Sequence, residues 1–103
     1  MDSPVTLRSI ATMIDHSLLH PTLTDKEIVR GCELAQKYAV ATACVKPYAI
    51  PLARSILEGS GVGVCTVIGF PHGNSTASNK LNETQEAMKT STGYGFVKQA
   101  NGM

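Results

Sequence analysis

The sequence is poor in the features that mark several classes of protein. Its 103 residues include no tryptophan and only three tyrosines and two phenylalanines, so a core must rest on aliphatic side chains. Charged residues make up 17% and the net charge is +1, which gives no basis for binding nucleic acid or an anionic membrane. No apolar run approaches the ~18 residues of a membrane span. Residues 1–4 begin no apolar segment of the kind found in signal peptides, so we expect none. We therefore expect a cytoplasmic protein without nucleic-acid or membrane partners.

Cysteine is also scarce. The three cysteines are Cys32, Cys44 and Cys65. Their odd number and the lack of CxxC spacing argue against a disulfide framework and favour a reducing compartment. His16 and His20 are four residues apart, as two zinc ligands on a helix would be, but Pro21 argues against a helix there. Since no third ligand is evident, the sequence predicts no metal site.

What the sequence does contain is an alternation of helical and strand patterns. We predict helices at 4–13, 24–38, 49–58 and 78–87, strands at 41–45 and 62–68, and loops at 15–23 and 69–74. Thr24 and Glu27 have the spacing of a capping box, which makes the second helix the clearest. Both strands are apolar throughout, which is typical of parallel strands covered on both faces. The fold class is therefore α/β, built from βαβ units.

Lys89 and the polar residues after it are the first candidates for chemistry. A lysine amine can form a Schiff base with a carbonyl substrate when its surroundings keep it neutral. The alternative is a surface lysine at a helix C-terminus, where the macrodipole favours it. Residues 90–93 read TSTG, whose hydroxyls and glycine suit a phosphate oxygen or form an ordinary polar loop.

Three further candidates lie where predicted helices or strands end. Asp15 follows the first helix and can bind a substrate hydroxyl, relay a proton or cap the next turn. Cys44 lies near the carboxyl end of the first predicted strand, the end that faces the active site in parallel α/β folds. It can equally be a small core residue. The segment 70–73, FPHG, follows the second strand at the same end of the sheet. It forms either part of the wall of a substrate pocket or only a turn.

Four segments, taken together, resemble one known family. They are IDHSLLHP (14–21), ACVKPYAIPLA (43–53), VCTVIGFPHGN (64–74) and MKTSTGYG (88–95). In this order they resemble deoxyribose-phosphate aldolase over about residues 7–98. The resemblance implies a (β/α)₈ barrel and a class I aldolase that reversibly cleaves 2-deoxy-D-ribose 5-phosphate to acetaldehyde and D-glyceraldehyde 3-phosphate. No metal or separate cofactor is implied, because the enzyme's own lysine forms the Schiff base.

The resemblance also implies a role for each matching residue. Lys89 corresponds to the lysine of the KTSTG motif and would form the Schiff base with the phosphorylated sugar. Asp15 would bind substrate and relay protons. The residues implied to contact substrate are Cys44, Val67, Phe70, Thr92 and Gly93.

The sequence departs from the family pattern between GFPHGN and KTSTG. In the family KTSTG ends the sixth barrel strand, whereas here only a helical stretch separates the two motifs. The third to fifth strands, an aspartate, a second lysine that lowers the pKa of the first, and the phosphate loops have no counterpart. A whole barrel takes ~250 residues. The implied fold is therefore an incomplete barrel with two clear strands.

We expect residues 1–103 to form one truncated domain. Residues 1–88 would hold the helices and the first two βα units, and residues 89–103 a displaced, mobile strand and loop motif that carries the Schiff-base lysine and the stub of a third strand. The alternative function is that of an inactive fragment that associates with itself or with full-length aldolase.

Overall fold

The fold is a four-stranded parallel sheet with helices packed against one face. The computed structural model describes residues 5–90 and 96–99. The strands are β1 (Asp15–Leu18), β2 (Thr42–Val45), β3 (Gly63–Ile68) and β4 (Phe96–Gln99). The helices are α1 (Leu7–Ala11), α2 (Asp25–Tyr38), α3 (Ile50–Leu57) and α4 (Ala77–Thr90), with a 3₁₀ turn at Pro47–Ala49. All neighbouring strands are parallel, in the order β1-β2-β3-β4, which confirms the α/β class.

Helix α2 begins with the capping box that the sequence predicts. The backbone N–H of Glu27 donates to the Thr24 hydroxyl, and the Glu27 carboxylate accepts from the Thr24 N–H. The helix ends at Ala39, whose φ of 53° lies in the left-handed region. Its buried face packs on the sheet through Ile28 and Cys32, which are both 0% exposed.

The predicted loop at 15–23 is wrong over its first four residues, which form β1. Residues Asp15 and Leu18 pair with the two ends of β2, Thr42 and Val45. Only His16 and Leu18 are covered, while Asp15 and Ser17 remain exposed. A four-residue strand with polar residues at its open positions lacks the apolar run by which β2 and β3 were found.

Helix α4 and strand β4 also differ from expectation. The helix continues three residues beyond the predicted end at 87, so Lys89 lies within it. Strand β4 lies within the displaced strand and loop motif expected at 89–103, although its bounds were not predicted, and it pairs with β3 from Cys65↔Phe96 to Ile68↔Gln99. The mobility predicted for 89–103 concerns mostly residues 91–95 and 100–103, which lie outside the described residues.

The two faces of the sheet carry separate apolar clusters. The outer face, which the helices cover, contributes Val45, Val64 and Ile68 to the larger cluster. The inner face is defined here by Cys44, Cys65 and Val67, which form a small cluster with Leu19. Since side chains alternate along a strand, β2 and β3 each contribute to both clusters. Within the described residues, no helix combines the length and hydropathy that a membrane crossing needs.

Candidate active site

Two of the predicted site residues meet on the inner face of the sheet. The carboxylate of Asp15 and the sulfurs of Cys44 and Cys65 all lie within 4.8 Å of one another. Strand register explains this: Cys44 is the direct partner of Cys65, and Asp15 is the partner of Thr42, two residues before Cys44. The sequence predicted Asp15 and Cys44 but not Cys65, because the register between β2 and β3 cannot be read from the sequence.

A hydrogen bond holds the Asp15 carboxylate above this face. The Thr42 hydroxyl donates to Oδ1 of Asp15 at 2.6 Å. Thr42 is only 6% exposed, whereas Asp15 is exposed. The carboxylate is therefore anchored on one oxygen and open to solvent, which suits a group that exchanges protons with a bound molecule.

A cavity of about 330 Å³ opens at the carboxyl ends of the strands. It is lined by Leu19, Pro21, Lys46, Pro47, Val67, Phe70, Pro71 and Glu83. The predicted residues Val67 and Phe70 thus share one cavity. Val67 also belongs to the inner-face cluster with Cys44, which connects the cavity to the Asp15 region.

Two charged residues of this cavity were missed by the sequence reasoning. The Lys46 ammonium donates to the backbone carbonyl of His20 at 3.2 Å. The Glu83 carboxylate accepts the backbone N–H of Gly69 at 2.6 Å, and Gly69 has a φ of 67° that favours glycine. Lys46 could have been found from its place directly after β2. No local signal distinguishes Glu83 from other polar residues of α4.

Lys89 is not brought to Asp15. Its side chain is 71% exposed on the last turn of α4, with Nζ 3.4 Å from Oε1 of Glu86. The buried residue on this turn is Ala87, which packs in the outer cluster. Lys89 follows two residues later, which places it about 200° around the helix, on the side away from the sheet. Asp15 lies on the inner face, so the sheet separates the two predicted catalytic residues.

The remaining candidates fall elsewhere. Thr92 and Gly93 lie outside the described residues. His16 lines an apolar cavity of about 170 Å³ between α1 and α2. Nδ1 of His20 lies 2.7 Å from the Thr22 hydroxyl. Within the described residues, the converging group of potential metal ligands includes neither histidine.

Comparison with known proteins gives clear relatives. No family model matches the chain. The deoxyribose-phosphate aldolase of Crocosphaera subtropica is 51% identical over 78 residues, which are 76% of this chain and 35% of that protein. That of Caldanaerobacter subterraneus subsp. tengcongensis is 46% identical over 83 residues, which are 81% of this chain and 36% of that protein. The chain thus spans a little over a third of the length of these relatives.

A solved structure extends the likeness to the fold. The crystal structure of a protein assigned as a deoxyribose-phosphate aldolase in Coccidioides immitis superimposes with a TM-score of 0.85 at 33% identity. The superposition covers 96% of this chain and 38% of that one. The parallel sheet accordingly corresponds to an incomplete (β/α)₈ barrel. On this sequence identity, shared fold and set of motifs, the chain belongs to the deoxyribose-phosphate aldolase family.

Proposed function

We propose that this chain supplies part of the active site of a class I aldolase. The reaction is the reversible cleavage of 2-deoxy-D-ribose 5-phosphate to acetaldehyde and D-glyceraldehyde 3-phosphate, in the cytoplasm. The observation that carries the proposal is the convergence of Asp15 and Cys44 on the inner face of the sheet. The cavity walled by Val67 and Phe70 lies at the carboxyl ends of the same strands, where barrel enzymes bind substrate.

In this proposal the chemistry rests on a lysine and a carboxylate. In a complete barrel that contains this segment, the amine of the lysine that Lys89 matches adds to the sugar carbonyl and loses water, which forms an iminium ion. The carbon–carbon bond then breaks and its electron pair moves into the iminium, while the hydroxyl proton of the leaving aldehyde passes to a base. Asp15 relays this proton and returns one to the resulting enamine. Hydrolysis of the Schiff base releases acetaldehyde, and no metal takes part in any step.

The phosphate end of the substrate and the wall of the site complete the assignment. Thr92 and Gly93 hold the phosphate through a hydroxyl and a backbone N–H. Cys44, Val67 and Phe70 form the wall against which the deoxyribose carbons pack.

A second candidate function is favoured by the position of Lys89. An exposed amine lacks the dry surroundings that make a lysine nucleophilic, and Lys89 is 71% exposed on the side of α4 away from the sheet. We therefore infer that the chain by itself does not turn over substrate. In this arrangement it acts by association with itself or with full-length aldolase, which would provide the rest of the site.

The decisive experiment uses a chimera in which a full-length relative supplies the rest of the barrel. The role of the inner face can then be measured even if the chain alone is inactive. Residues 7–88 replace the corresponding segment of the Crocosphaera subtropica relative. The chimera is expected to release acetaldehyde from deoxyribose 5-phosphate. Asp15→Asn in this chimera is expected to lower kcat by about 10²–10⁴-fold, as for loss of a general acid–base group.

The matched control is Asp25→Asn. Asp25 is an exposed aspartate at the start of α2, on the helical side of the sheet, and its substitution should leave kcat unchanged. A folded but inactive chimera would contradict the proposal. An active chimera in which Asp15→Asn and Asp25→Asn have equal kcat would contradict it as well.

A further inference from the structure

The inner face holds a set of side chains that the proposed aldolase chemistry does not use together. The Cys44 and Cys65 sulfurs and the Asp15 carboxylate lie within 4.8 Å of one another. We propose that these three side chains bind Zn²⁺. Thiolate sulfur and carboxylate oxygen are both zinc ligands, and two thiolates select a soft ion over Mg²⁺ or Ca²⁺.

The distances fit a tetrahedral ion. With Zn–S bonds of about 2.3 Å and Zn–O bonds of about 2.1 Å, neighbouring ligand atoms lie about 3.6–3.8 Å apart. The three ligand atoms lie within 4.8 Å of one another, so binding requires them to approach by up to about 1 Å. The two sulfurs come from register partners in adjacent strands, Cys44 on β2 and Cys65 on β3, so the sheet fixes their separation.

The third ligand is held in place and leaves one coordination position open. Thr42 donates to Oδ1 of Asp15 at 2.6 Å, and a hydrogen bond of this kind orients a ligating carboxylate. The second carboxylate oxygen is then available to the ion. Asp15 is exposed, whereas Cys44 and Cys65 are 3% and 0% exposed. A water molecule can therefore reach the fourth position from the Asp15 side.

The three ligands more than neutralise the charge of the ion. Binding deprotonates both thiols and releases two protons to solvent, so two thiolates and one carboxylate surround a dication with a net charge of −1. Val67 and Leu19 pack against the two cysteines and would shield a bound ion from solvent on that side. Zinc binding and proton release are thus coupled.

This inference rests on the inner-face geometry and not on the proposed aldolase function. The two are nevertheless linked through Asp15, which would serve both. Bound zinc would therefore compete with the sugar at this carboxylate.

The test uses the whole chain, kept reduced, and Co²⁺ as a spectroscopic probe for zinc. We expect one equivalent of Co²⁺ to produce a sulfur-to-cobalt charge-transfer band with the intensity of two thiolates, and Zn²⁺ to abolish it. Calorimetry in buffers of different ionisation enthalpy should show two protons released per ion. Absence of the band would overturn the proposal. Formation of a disulfide between Cys44 and Cys65 instead of metal binding, seen as a loss of two mass units, would overturn it as well.

Variants identify the ligands. Cys32→Ser is the matched control, because Cys32 is equally buried but belongs to the outer cluster, and it should keep the two-thiolate band. Cys44→Ser and Cys65→Ser should each reduce the band to one thiolate or remove it. Asp15→Asn should keep both thiolates and weaken affinity by at least about tenfold. A band unchanged in both Cys44→Ser and Cys65→Ser would refute the site.

A second measurement needs no variant and so is independent of their folding. X-ray absorption at the zinc edge of the loaded wild-type chain should show two sulfur neighbours at about 2.3 Å and the remainder oxygen. Three sulfur neighbours would implicate Cys32, and oxygen or nitrogen neighbours alone would exclude both proposed thiolates. Either result overturns the assignment.

Discussion

Thr42 donates a 2.6 Å hydrogen bond to Asp15 across the pairing of β1 with β2. It joins a buried residue at the start of one strand to an exposed carboxylate at the start of its neighbour. The position of Asp15 over Cys44 therefore depends on the register of the two strands.

Thr42→Val should destabilise the fold by about 0.5–1.5 kcal/mol, because it removes this hydrogen bond while keeping the shape and the strand preference of the side chain. Urea unfolding followed by circular dichroism measures the change. Thr22→Val is the control for an exposed hydroxyl whose hydrogen bond, to His20, stays within its own loop, and it should lower stability less. A Thr42→Val chain as stable as wild type would show that water replaces the hydroxyl at no cost.

Gly31→Ala should also destabilise the fold, although alanine is the better helix former. A Cβ atom at Gly31 would collide with the side chain of Leu18, where α2 crosses β1. Overpacking costs about 1–3 kcal/mol, against a helix-propensity gain of about 1 kcal/mol, so a net loss of about 1 kcal/mol is expected.

The double variant Gly31→Ala/Leu18→Ala isolates this collision. Its loss of unfolding free energy should be smaller than the sum of the two single losses, because Leu18→Ala removes the colliding atoms. Strict additivity of the two changes would mean that α2 shifts freely away from β1.

The capping box of α2 should make stability fall in acid. The backbone and hydroxyl hydrogen bonds from Thr24 lower the pKa of Glu27 below its ordinary value of 4.5. The unfolded chain then takes up this proton at a higher pH than the folded chain. The stabilisation is thus present above about pH 4.5 and is lost as pH falls through the lower, folded-state pKa.

Melting temperatures measured from pH 7 to pH 3 test this sign. Glu27→Gln keeps an acceptor for the Thr24 N–H but cannot titrate, so its melting temperature should depend less on pH than that of wild type. Glu33→Gln, at an exposed position of the same helix, is the control and should follow wild type. Equal pH dependence in all three chains would contradict the account of the cap.

The chain should self-associate at micromolar concentration. Among the described strands, β1 pairs only with β2, so its other edge has no strand beside it. Leu7 and Met13, which shortly precede this strand in the chain, are 71% and 74% exposed. An unpaired edge and exposed apolar side chains favour contact with a second chain.

Sedimentation velocity over a dilution series measures this association. Leu7→Lys/Met13→Lys should shift the distribution towards monomer, whereas the control Gln36→Lys/Gln85→Lys adds the same charge at exposed polar positions and should not. A single wild-type species at monomer mass with cooperative unfolding would show that the described sheet is self-sufficient.

Most of the regular structure could be predicted from local sequence. The Thr24–Glu27 spacing located α2, and two apolar runs located β2 and β3. Strand β1 could not be found in this way, because its existence depends on pairing with β2 and not on its own hydropathy. Strand pairing is a tertiary effect that a local pattern does not contain.

The candidate site was only partly predictable, for related reasons. Asp15 and Cys44 were placed by the family motifs and by the rule that strand ends face the site. Cys65 joined them through strand register, which the sequence does not reveal. For Lys89 the family motif predicted the end of a strand. The residues NKLNETQEAMK favour a helix instead, so α4 extends past Lys89.

The central claim is that the sheet separates Asp15 from Lys89, so that the chain alone cannot form the catalytic Schiff base. The most direct measurement is borohydride trapping of the pure chain with deoxyribose 5-phosphate, read by intact mass and peptide mapping, alongside an acetaldehyde assay. We expect no acetaldehyde above background and no more adduct on Lys89 than on the exposed Lys26. Steady acetaldehyde production that is lost in Lys89→Ala and retained in Lys26→Ala would contradict this claim.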